Sequence, residues 1–327
     1  MKVLIINDYA AVIGGAERFL ENLMYESENA GIEFHRLDIA ELVKGCRTAT
    51  RSNFIIERYK RIWVNPEIAG LILHRIEQIK PDLIHLNNNH LYTNSVIHSL
   101  RTMGIPVVWF IHDYYSLRRL RSLLYLHTKA SVTFLTHSPD IYKGLTAMGR
   151  KAYLVKVPFN YAKWTRPQAN DTGHRPIDLL YVGRIEKSKG VFTLVKAVDR
   201  IRQKLPTISL CILGDGSQRK ALEGMVRELK LESNVEIMGL QDDQPLRRYY
   251  ARARILVFPS ATETLGYVGL EAQACGTPVI AFENEGTSRW CRDNIDGFIV
   301  HGGSAQNLAD KVLEIIHDDV ILTRIST

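Results

Sequence analysis

The chain has 327 residues, of which 46% are hydrophobic and 24% are charged. This length exceeds what one hydrophobic core usually serves and predicts two domains of about 160 residues, and the composition is that of a soluble globular protein. No apolar run approaches the length of a membrane span, and the first residues, up to Asp8, favour a short strand over a signal peptide. The net charge of +7 favours anionic partners without choosing among nucleotides, nucleic acid and membranes.

The cysteines are scattered along the chain, and none forms a Cys-x-x-Cys pair. They are Cys46, Cys211, Cys275 and Cys291. This pattern favours reduced thiols with structural roles and predicts a cytoplasmic protein.

Short apolar segments alternate with amphipathic helical stretches, which is the pattern of parallel βαβ units. The strands predicted in the first half are Lys2–Ile6, Asp82–Leu86, Pro106–Ile111, Ser131–Leu135 and Tyr153–Val157. Those predicted in the second half are Ile177–Val182, Ser209–Leu213, Val235–Met238, Ile255–Phe258 and Pro278–Phe282. A polar, proline-bearing stretch at 164–176 is predicted to link them. We therefore expect an α/β protein with two doubly wound Rossmann-like domains, 1–163 and 177–327, facing a central cleft that is the default site.

Two carboxylates eight positions apart, Glu263 and Glu271, are the most informative feature. Glu263 is predicted to lie in the loop after a buried strand, and Glu271 about two turns into the following helix. The amides at the start of that helix belong to Thr264, Leu265, Gly266 and Tyr267. Free N–H groups and the helix dipole favour an anion there. An anion seat beside two carboxylates suits a nucleotide-sugar, whose diphosphate lies between a ribose and a hexose.

Each carboxylate also has a simpler interpretation. Ser260-Ala-Thr-Glu263 fits a capping box, in which Glu263 would reach back to a cap amide. Glu271 could be an ordinary solvated helix residue.

Glycines and cations follow the first strand of each half. Gly14 and Gly15 precede the first helix, where they would let a ligand approach its amino terminus, although a simple tight turn explains them equally well. Gly183 is followed by two cations, Arg184 and Lys189. The planar guanidinium of Arg184 and the compact ammonium of Lys189 suit the negative charge of a leaving diphosphate. A solvated basic loop is the alternative.

Polar residues also end three strands of the first half. His112 and Asp113 could be metal ligands, a general-base pair or a polar strand end, and no third ligand at recognisable spacing supports a metal. His137 holds a similar position after the next strand. His85 and Asn87–Asn89 are interpreted as cleft-lining or structural residues.

Together these motifs resemble the retaining GT-B glycosyltransferases of family 4. The segment from Glu263 to Pro278-Val is similar to that family's Glu-x7-Glu signature and its tail. The other matching motifs are, in chain order, Gly-Gly-Ala-Glu, Pro-Asp-Leu-Ile-His, His-Asp, Gly-Arg-x4-Lys-Gly and Gly-Asp-Gly. Leu265 departs from the family, which often has an aromatic residue there. A helix is predicted at Ala305–His317, and because the chain then runs only to Thr327, the family's final crossover helix is expected to be missing.

The resemblance implies transfer of a hexose from a nucleoside-diphosphate-sugar to a hydroxyl of a saccharide or lipid-linked acceptor, with retained configuration and front-face geometry. Catalytic roles are implied for His112, Arg184, Lys189 and Glu263. Donor contacts are implied for Gly14, Gly15, Gly183, Gly214, Gly239, Leu240, Thr264, Leu265, Gly266, Tyr267 and Glu271. Asp113 and His137 are expected on the acceptor side. No DxD-type metal site is apparent, so neither a metal nor a cofactor is expected.

Other classes of protein fit less well. A sugar-nucleotide epimerase would share the fold, since fold alone does not decide chemistry. A phosphorylase would need a pyridoxal lysine and a far longer chain, and a dehydrogenase would need Gly-x-Gly-x-x-Gly after the first strand. A nucleotide- or nucleic-acid-binding module fits the charge but leaves Glu263 and Glu271 unexplained, so no nucleic-acid partner is expected.

Two basic segments of the first half carry interleaved apolar residues. The cations are Arg47, Arg51, Arg58, Lys60, Arg61, Arg118, Arg119 and Arg121. A solvated basic face is one interpretation. The other is that these segments rest on anionic lipid, since each Lys or Arg near such a surface contributes about 1 kcal/mol, while aromatic and aliphatic side chains enter the headgroup boundary. The second interpretation predicts peripheral attachment to the cytoplasmic membrane during surface-polysaccharide assembly.

Overall fold

The computed structural model describes residues 1–10, 14–28, 30–45, 65–87, 93–100, 103–114, 116, 132–165 and 175–326. The chain divides into two compact units, Met1–Asn160 and Tyr161–Thr327. The boundary falls ahead of the predicted linker at 164–176, most of which lies outside the described residues. The predicted basic segments around 47–63 and 117–124 also lie outside them.

The described part of the first unit contains a six-stranded parallel sheet with strand order β2-β1-β3-β4-β5-β6. Its strands are β1 (Lys2–Asn7), β2 (Glu33–Asp38), β3 (Leu83–Asn87), β4 (Val107–Phe110), β5 (Val132–Thr136) and β6 (Ala152–Leu154). Its helices are α1 (Gly15–Glu26), α2 (Ile39–Leu42), α3 (Pro66–Ile79), α4 (Thr93–Leu100) and α5 (Pro139–Ala147).

The second unit has its own six-stranded parallel sheet, with strand order β12-β11-β10-β7-β8-β9. Its strands are β7 (Ile177–Val182), β8 (Leu210–Leu213), β9 (Val235–Gly239), β10 (Ala253–Phe258), β11 (Val279–Phe282) and β12 (Phe298–Val300). Its helices are α6 (Tyr161–Trp164), α7 (Val191–Ile201), α8 (Arg219–Glu228), α9 (Asp243–Arg252), α10 (Tyr267–Ala274), α11 (Ala305–Ile315) and α12 (Asp319–Ser326).

Each sheet reverses its winding direction at one point. In the first unit the reversal lies between β1 and β3, and in the second it lies between β7 and β10. Ligands of open parallel sheets bind outside the carboxyl ends of the strands at such a switch point, because the loops there diverge and leave a crevice. The loops after β1, β3, β7 and β10 are therefore the places to look for a site in each unit.

Helix periodicity explains how each sheet is covered. In α3, the side chain of Asn65 caps the helix by accepting from the amides of Glu67 and Ile68, and Pro66 occupies the first turn. Its buried residues recur every three or four positions, which places one apolar stripe on the sheet. α7 does the same in the second unit. Each unit thus has a hydrophobic core of its own.

The predicted α/β class with two doubly wound sheets is confirmed, and every predicted strand is present with ends shifted by a few residues. Two strands were missed, β2 and β12, and both lie at the edge of a sheet. β2 is mostly polar and half-buried, while β12 has only three residues, so neither has the apolar run of a central strand. Beyond the predicted helix at Ala305–His317 the chain forms α12, whose Leu322 packs into the core of the second unit.

Within the described residues, no helix is long and apolar enough to cross a membrane. Cys211, Cys275 and Cys291 are buried free thiols, as predicted, and Cys46 lies outside the described residues. Burial raises the pKa of Cys211 to about 11 and that of Cys291 to about 12. The thiols of Cys211 and Cys291 therefore remain protonated at neutral pH.

Candidate functional site

An ion pair connects the loops that follow β7 and β10, on either side of the switch point of the second sheet. The Lys189 ammonium lies 2.5 Å from a carboxylate oxygen of Glu263. Lys189 ends a short 3-10 turn, Lys187–Lys189, and Glu263 lies in the loop between β10 and α10. Both side chains are largely shielded, with 22% and 16% of their surfaces exposed. Screening by solvent is therefore weaker than for a surface pair.

The close approach of these two loops depends on Gly190. Its backbone has φ +73°, and a Cβ built there would lie 1.9 Å from the carbonyl oxygen of Pro259. Only glycine adopts this conformation readily and leaves room for that carbonyl. Gly190 thus sets the turn of Lys189 against the end of β10.

Arg184, the second predicted cation, is more open. About half of its side-chain surface is exposed, and its guanidinium pairs with Glu186 at 3.1 Å. The Tyr181 hydroxyl donates to the backbone oxygen of Arg184 at 2.9 Å and so holds this loop to β7. Burial, together with the nearby Glu263 carboxylate, raises the pKa of Tyr181 well above its usual range, so the hydroxyl remains a donor.

Gly183, Gly214 and Gly239 lie at the carboxyl ends of neighbouring strands. A Cβ on Gly214 would lie 1.9 Å from the Gly183 oxygen, so the two loops pack backbone against backbone. The Gly214 amide donates to the Gly239 oxygen at 2.8 Å. Leu240 follows with 77% of its surface exposed. The predicted glycine positions therefore form one continuous edge of the second unit.

The start of α10 offers unoccupied backbone donors. Gly266 caps this helix with φ +87°. Among the described residues, the amides of Leu265 and Gly266 donate to no acceptor in the protein. Unpaired amides at a helix amino terminus favour an anionic ligand, so two of the four predicted amides are available to an anion, and the anion site itself stays a prediction.

Three residues of the loop between β11 and β12 donate hydrogen bonds to the backbone carbonyls of this segment. They are Gly286, Arg289 and Trp290, and together they are called the brace. The Gly286 amide donates to the Glu263 oxygen at 2.9 Å, and the Trp290 indole donates to the Leu265 oxygen at 2.7 Å. Arg289 adds a bond of 3.1 Å to the oxygen of Thr264. A trans peptide points its N–H opposite to its C=O. The amides that follow these carbonyls are therefore turned away from the brace.

Glu271 is the fifth residue of α10 and is only 2% exposed. It lies just over one helical turn from the start, closer than predicted, and its carboxylate accepts from the Tyr250 hydroxyl at 3.0 Å. The alternative of a solvated Glu271 is therefore wrong. The capping-box alternative for Glu263 is also wrong, because α10 is capped by Gly266 and Glu263 pairs with Lys189.

In the first unit, a chain of hydrogen bonds crosses the switch point between β1 and β3. The Asn87 side chain donates from Nδ2 to Oδ1 of Asn7 at 2.8 Å, and its own Oδ1 lies 2.7 Å from Nε2 of His112. These three residues end β1, end β3 and follow β4. All are buried. His112 therefore has a fixed partner on the neighbouring strand.

Aromatic rings surround His112. Its ring lies 4.4 Å from that of Phe110 and 4.9 Å from that of Phe19, and the His137 ring lies 5.7 Å away. The structure thus brings together the two histidines predicted from neighbouring strand ends. Asp113 accepts from the Ser116 amide at 2.7 Å and begins the next turn.

The glycine loop of the first unit leads into α1. Gly14 precedes the helix, Gly15 begins it, and the Gly14 amide donates to the Glu17 carboxylate at 3.1 Å. Burial raises the pKa of Glu17, and the nearby Asp8 carboxylate acts in the same direction.

Among the described residues, no group of three His, Cys, Asp or Glu side chains could hold a metal ion. Sequence reasoning missed Asn7, Tyr181, Tyr250 and the brace residues. Asn7 ends β1, and the brace residues lie in the loop after β11. Applying the strand-end argument to every strand could have identified them.

Comparisons with known proteins agree with this organisation. A family model described as "Glycosyl transferases group 1" matches residues 162–326, and one described as "Glycosyltransferase Family 4" matches residues 13–157. A lipopolysaccharide core biosynthesis glycosyltransferase of Rhizobium meliloti is 32% identical over 195 residues, which cover 58% of this chain and 55% of that protein. A D-inositol 3-phosphate glycosyltransferase of Arthrobacter is 40% identical over 152 residues, 43% of this chain and 34% of the relative. The chain thus spans about half, or only a third, of the length of these relatives.

Two solved structures resemble the whole chain. Anabaena HepE in complex with UDP-glucose has a TM-score of 0.77 at 20% identity, covering 100% of this chain and 92% of that one. Sucrose-phosphate synthase from Thermosynechococcus elongatus has the same TM-score, identity and coverage. At this identity the likeness concerns the fold alone, and it confirms the predicted GT-B fold.

Proposed function

Because the chain belongs to the group 1 glycosyltransferases, we propose that it transfers a hexose from a nucleoside-diphosphate-sugar to an acceptor hydroxyl. The observation that carries this proposal is the arrangement at the start of α10. Two unpaired amides lie between Glu263, which is paired with Lys189, and the buried Glu271. Amides and a lysine suit a diphosphate, and the two carboxylates can accept hydrogen bonds from sugar hydroxyls.

The Lys189–Glu263 pair gives the donor a place to enter. A bound diphosphate competes with Glu263 for the ammonium group of Lys189. The released Glu263 carboxylate then accepts a hydrogen bond from a hydroxyl group of the transferred sugar. Arg184 exchanges Glu186 for the phosphate in the same manner. Both cations then stabilise the charge that develops on the leaving diphosphate. Glu271 accepts from the ribose.

We propose that the anomeric configuration is retained. In a front-face reaction the bond to the leaving phosphate breaks on the side on which the acceptor oxygen arrives, and the phosphate takes the acceptor's proton. Lys189 and Arg184 supply the positive charge for this step. The reaction therefore needs no metal ion and no protein nucleophile.

In the first unit, His112 is proposed to contact the transferred sugar and the Gly14–Gly15 loop to contact the donor phosphate. Asp113 and His137 are proposed to serve the acceptor. Gly239 and Leu240 of the second unit are proposed to contact the base.

Incubation with a panel of nucleotide-sugars tests the activity. Release of nucleoside diphosphate that depends on an added saccharide or lipid-linked acceptor supports a transferase. Interconversion of the sugar without such release would identify an epimerase instead.

Turnover should continue in EDTA, and its loss in EDTA with recovery in magnesium or manganese would overturn metal independence. Lys187→Ala is the control for Lys189→Ala, because both lysines occupy the same turn and Lys187 is exposed.

For the acceptor, we propose a lipid-linked saccharide of surface-polysaccharide assembly, handled by a cytoplasmic protein that attaches to the membrane periphery. The lipopolysaccharide-core relative and the basic sequence segments around 47–63 and 117–124 support this proposal. Flotation with anionic and neutral liposomes tests it. Recovery with anionic vesicles alone, lost at high salt, is the expected result, and equal recovery with both would contradict it.

A further inference from the structure

Two backbone carbonyls fix the direction of the hydrogen-bond chain in the first unit. The Asn7 side-chain nitrogen lies 2.6 Å from the oxygen of Tyr9, and the Asn87 side-chain nitrogen lies 3.3 Å from the oxygen of Ala16. A backbone carbonyl can only accept, so the amide atom that faces it must be the donor nitrogen. The carbonyls of Tyr9 and Ala16 therefore fix the orientation of the side-chain amide groups of Asn7 and Asn87.

The same constraint reaches His112. Because the Asn87 nitrogen serves Asn7 and Ala16, its oxygen is the atom that faces His112 Nε2. An amide oxygen can only accept, so Nε2 must carry the proton. The neutral ring then has Nδ1 as its acceptor nitrogen.

We propose that Asn87 is a positioning residue for the transfer reaction. It holds the His112 ring in one orientation with the proton on Nε2, and Asn7 holds Asn87. This inference rests on the proposed function, because it gives the orientation of His112 a role in turnover. Asn7 and Asn87 are fully buried, so an unpaired amide group in either would be unfavourable.

The bond from Asn87 to Ala16 extends this role to the glycine loop. Ala16 lies in the first turn of α1, directly after Gly15. One side chain therefore touches both the helix that follows the loop and the ring of His112. Movement of that turn changes the hydrogen bonding of Asn87 and, through it, the support of His112.

Nuclear magnetic resonance of the full chain labelled with 15N-histidine tests the orientation without any turnover. The signals of His112 are those lost in His112→Gln. We expect a proton on Nε2 that is shifted downfield by its hydrogen bond. In Asn87→Leu, which lacks the acceptor, that proton should move upfield. Asn87→Asp keeps an acceptor opposite Nε2 but loses the donor to Asn7 and Ala16. If the acceptor opposite Nε2 decides the shift, the proton should stay downfield in this variant.

Kinetics with the nucleotide-sugar that the panel identifies tests the role. Asn87→Leu should lower kcat by about fivefold or more, the effect of one buried hydrogen bond, while KM for the donor changes by less than about twofold. Ser99→Ala is the matched control, because it removes a buried side-chain hydrogen bond elsewhere in the same unit. It should leave both kcat and the His112 signals unchanged.

Three results would overturn the proposal: a parent His112 that is protonated on Nδ1 and not on Nε2, an unchanged Nε2 proton in Asn87→Leu, or unchanged kcat when that proton has moved. If Asn87→Leu does not fold, Asn7→Ser provides the same comparison with a smaller shift in the same direction. Failure of the proposed function looks different. The His112 signals would then respond as expected while no nucleotide-sugar is consumed.

Discussion

The two units connect the strands at their switch points with different chemistry. In the first, β1 and β3 are joined by neutral amides, Asn7 to Asn87, and the connection continues to His112. In the second, the loops after β7 and β10 are joined by the ion pair of Lys189 and Glu263. The neutral connection lies on strand ends and is fully buried, whereas the charged one lies on loops and is partly open.

This difference indicates how each unit responds to a ligand. In the proposed function a diphosphate replaces Glu263 as the partner of Lys189, so the charged connection can open while Lys189 keeps an anionic partner and Glu263 accepts from a sugar hydroxyl. The amide chain has no such exchange available, since turning Asn87 would place two acceptors against each other. The second unit is therefore suited to bind an anion that comes and goes, and the first to hold a ring in place.

Substitution of Gly190 should break the charged connection with the largest effect. Gly190→Ala combines a positive φ with a Cβ 1.9 Å from the Pro259 oxygen, and we expect it to cost about 2–5 kcal/mol of unfolding free energy and to abolish nucleoside diphosphate binding. Gly31→Ala is the control, because Gly31 has φ +64° with no atom within 4 Å of its added Cβ. It should cost only about 1–2 kcal/mol. Urea unfolding and calorimetry measure both, and equal losses for the two variants would contradict the role of the close contact.

Loss of the cation should come next in size. Lys189→Ala removes a charge-assisted bond to the diphosphate and leaves Glu263 without its partner, so we expect binding to weaken about 10- to 100-fold. Lys187→Ala, in the same turn, should change binding by less than about twofold. Calorimetry with uridine and guanosine diphosphates measures both variants. Unchanged affinity in Lys189→Ala would show that the ion pair is not where the anion enters.

Sequence reasoning gave the right position where a side chain follows a regular strand. Parallel strands place their carboxyl ends on one edge, which predicted the positions of His112, His137 and Glu263. The same rule predicted the positions of Gly183, Arg184 and Lys189, and the roles of all these residues stay predictions. The central strands were recognisable because burial on both faces makes them apolar. The edge strands β2 and β12 lack that signal.

The remainder depends on contacts between residues far apart in the chain. Trp290 bonds to Leu265 and Gly286 to Glu263, and no periodicity or spacing records such pairs. The burial of Glu271 against Tyr250 is likewise a product of packing between two helices. The sequence therefore indicated which residues lie at strand ends and are predicted to bind, while the residues that hold them in place became visible only in the fold.

Acid should affect the first unit through His85, next to the neutral connection. Burial, beside the packed rings of Phe19 and Phe110, lowers the pKa of His85 from 6.5 to about 4. Below pH 6.5 the unfolded chain binds a proton at His85, whereas the folded chain binds it only near pH 4. The free energy of unfolding therefore falls as the pH falls from 6.5 to about 4. The slope should approach about 1.4 kcal/mol per pH unit. Urea unfolding of the parent and of His85→Gln at each pH measures this slope. The parent should lose stability relative to His85→Gln as the pH falls from 6.5 to about 4. Parallel curves for the two proteins would contradict a buried, neutral His85.

The smallest expected effect concerns the brace of the charged connection. Trp290→Phe removes the indole bond to the Leu265 oxygen while a ring still packs near Gly269, so the peptide that carries the Gly266 amide loses one constraint on its direction. We expect nucleoside diphosphate binding to weaken about fivefold, the effect of about 1 kcal/mol. Ser288→Ala lies in the same turn but bonds to Asn284, outside the anion seat, and should bind as the parent does. Because Lys189 and Glu263 are untouched in both variants, a loss confined to Trp290→Phe would show that the direction of the amides adds to the affinity supplied by the charges. Equal binding in both variants would mean that the direction of the amides adds nothing to the affinity that Lys189 supplies.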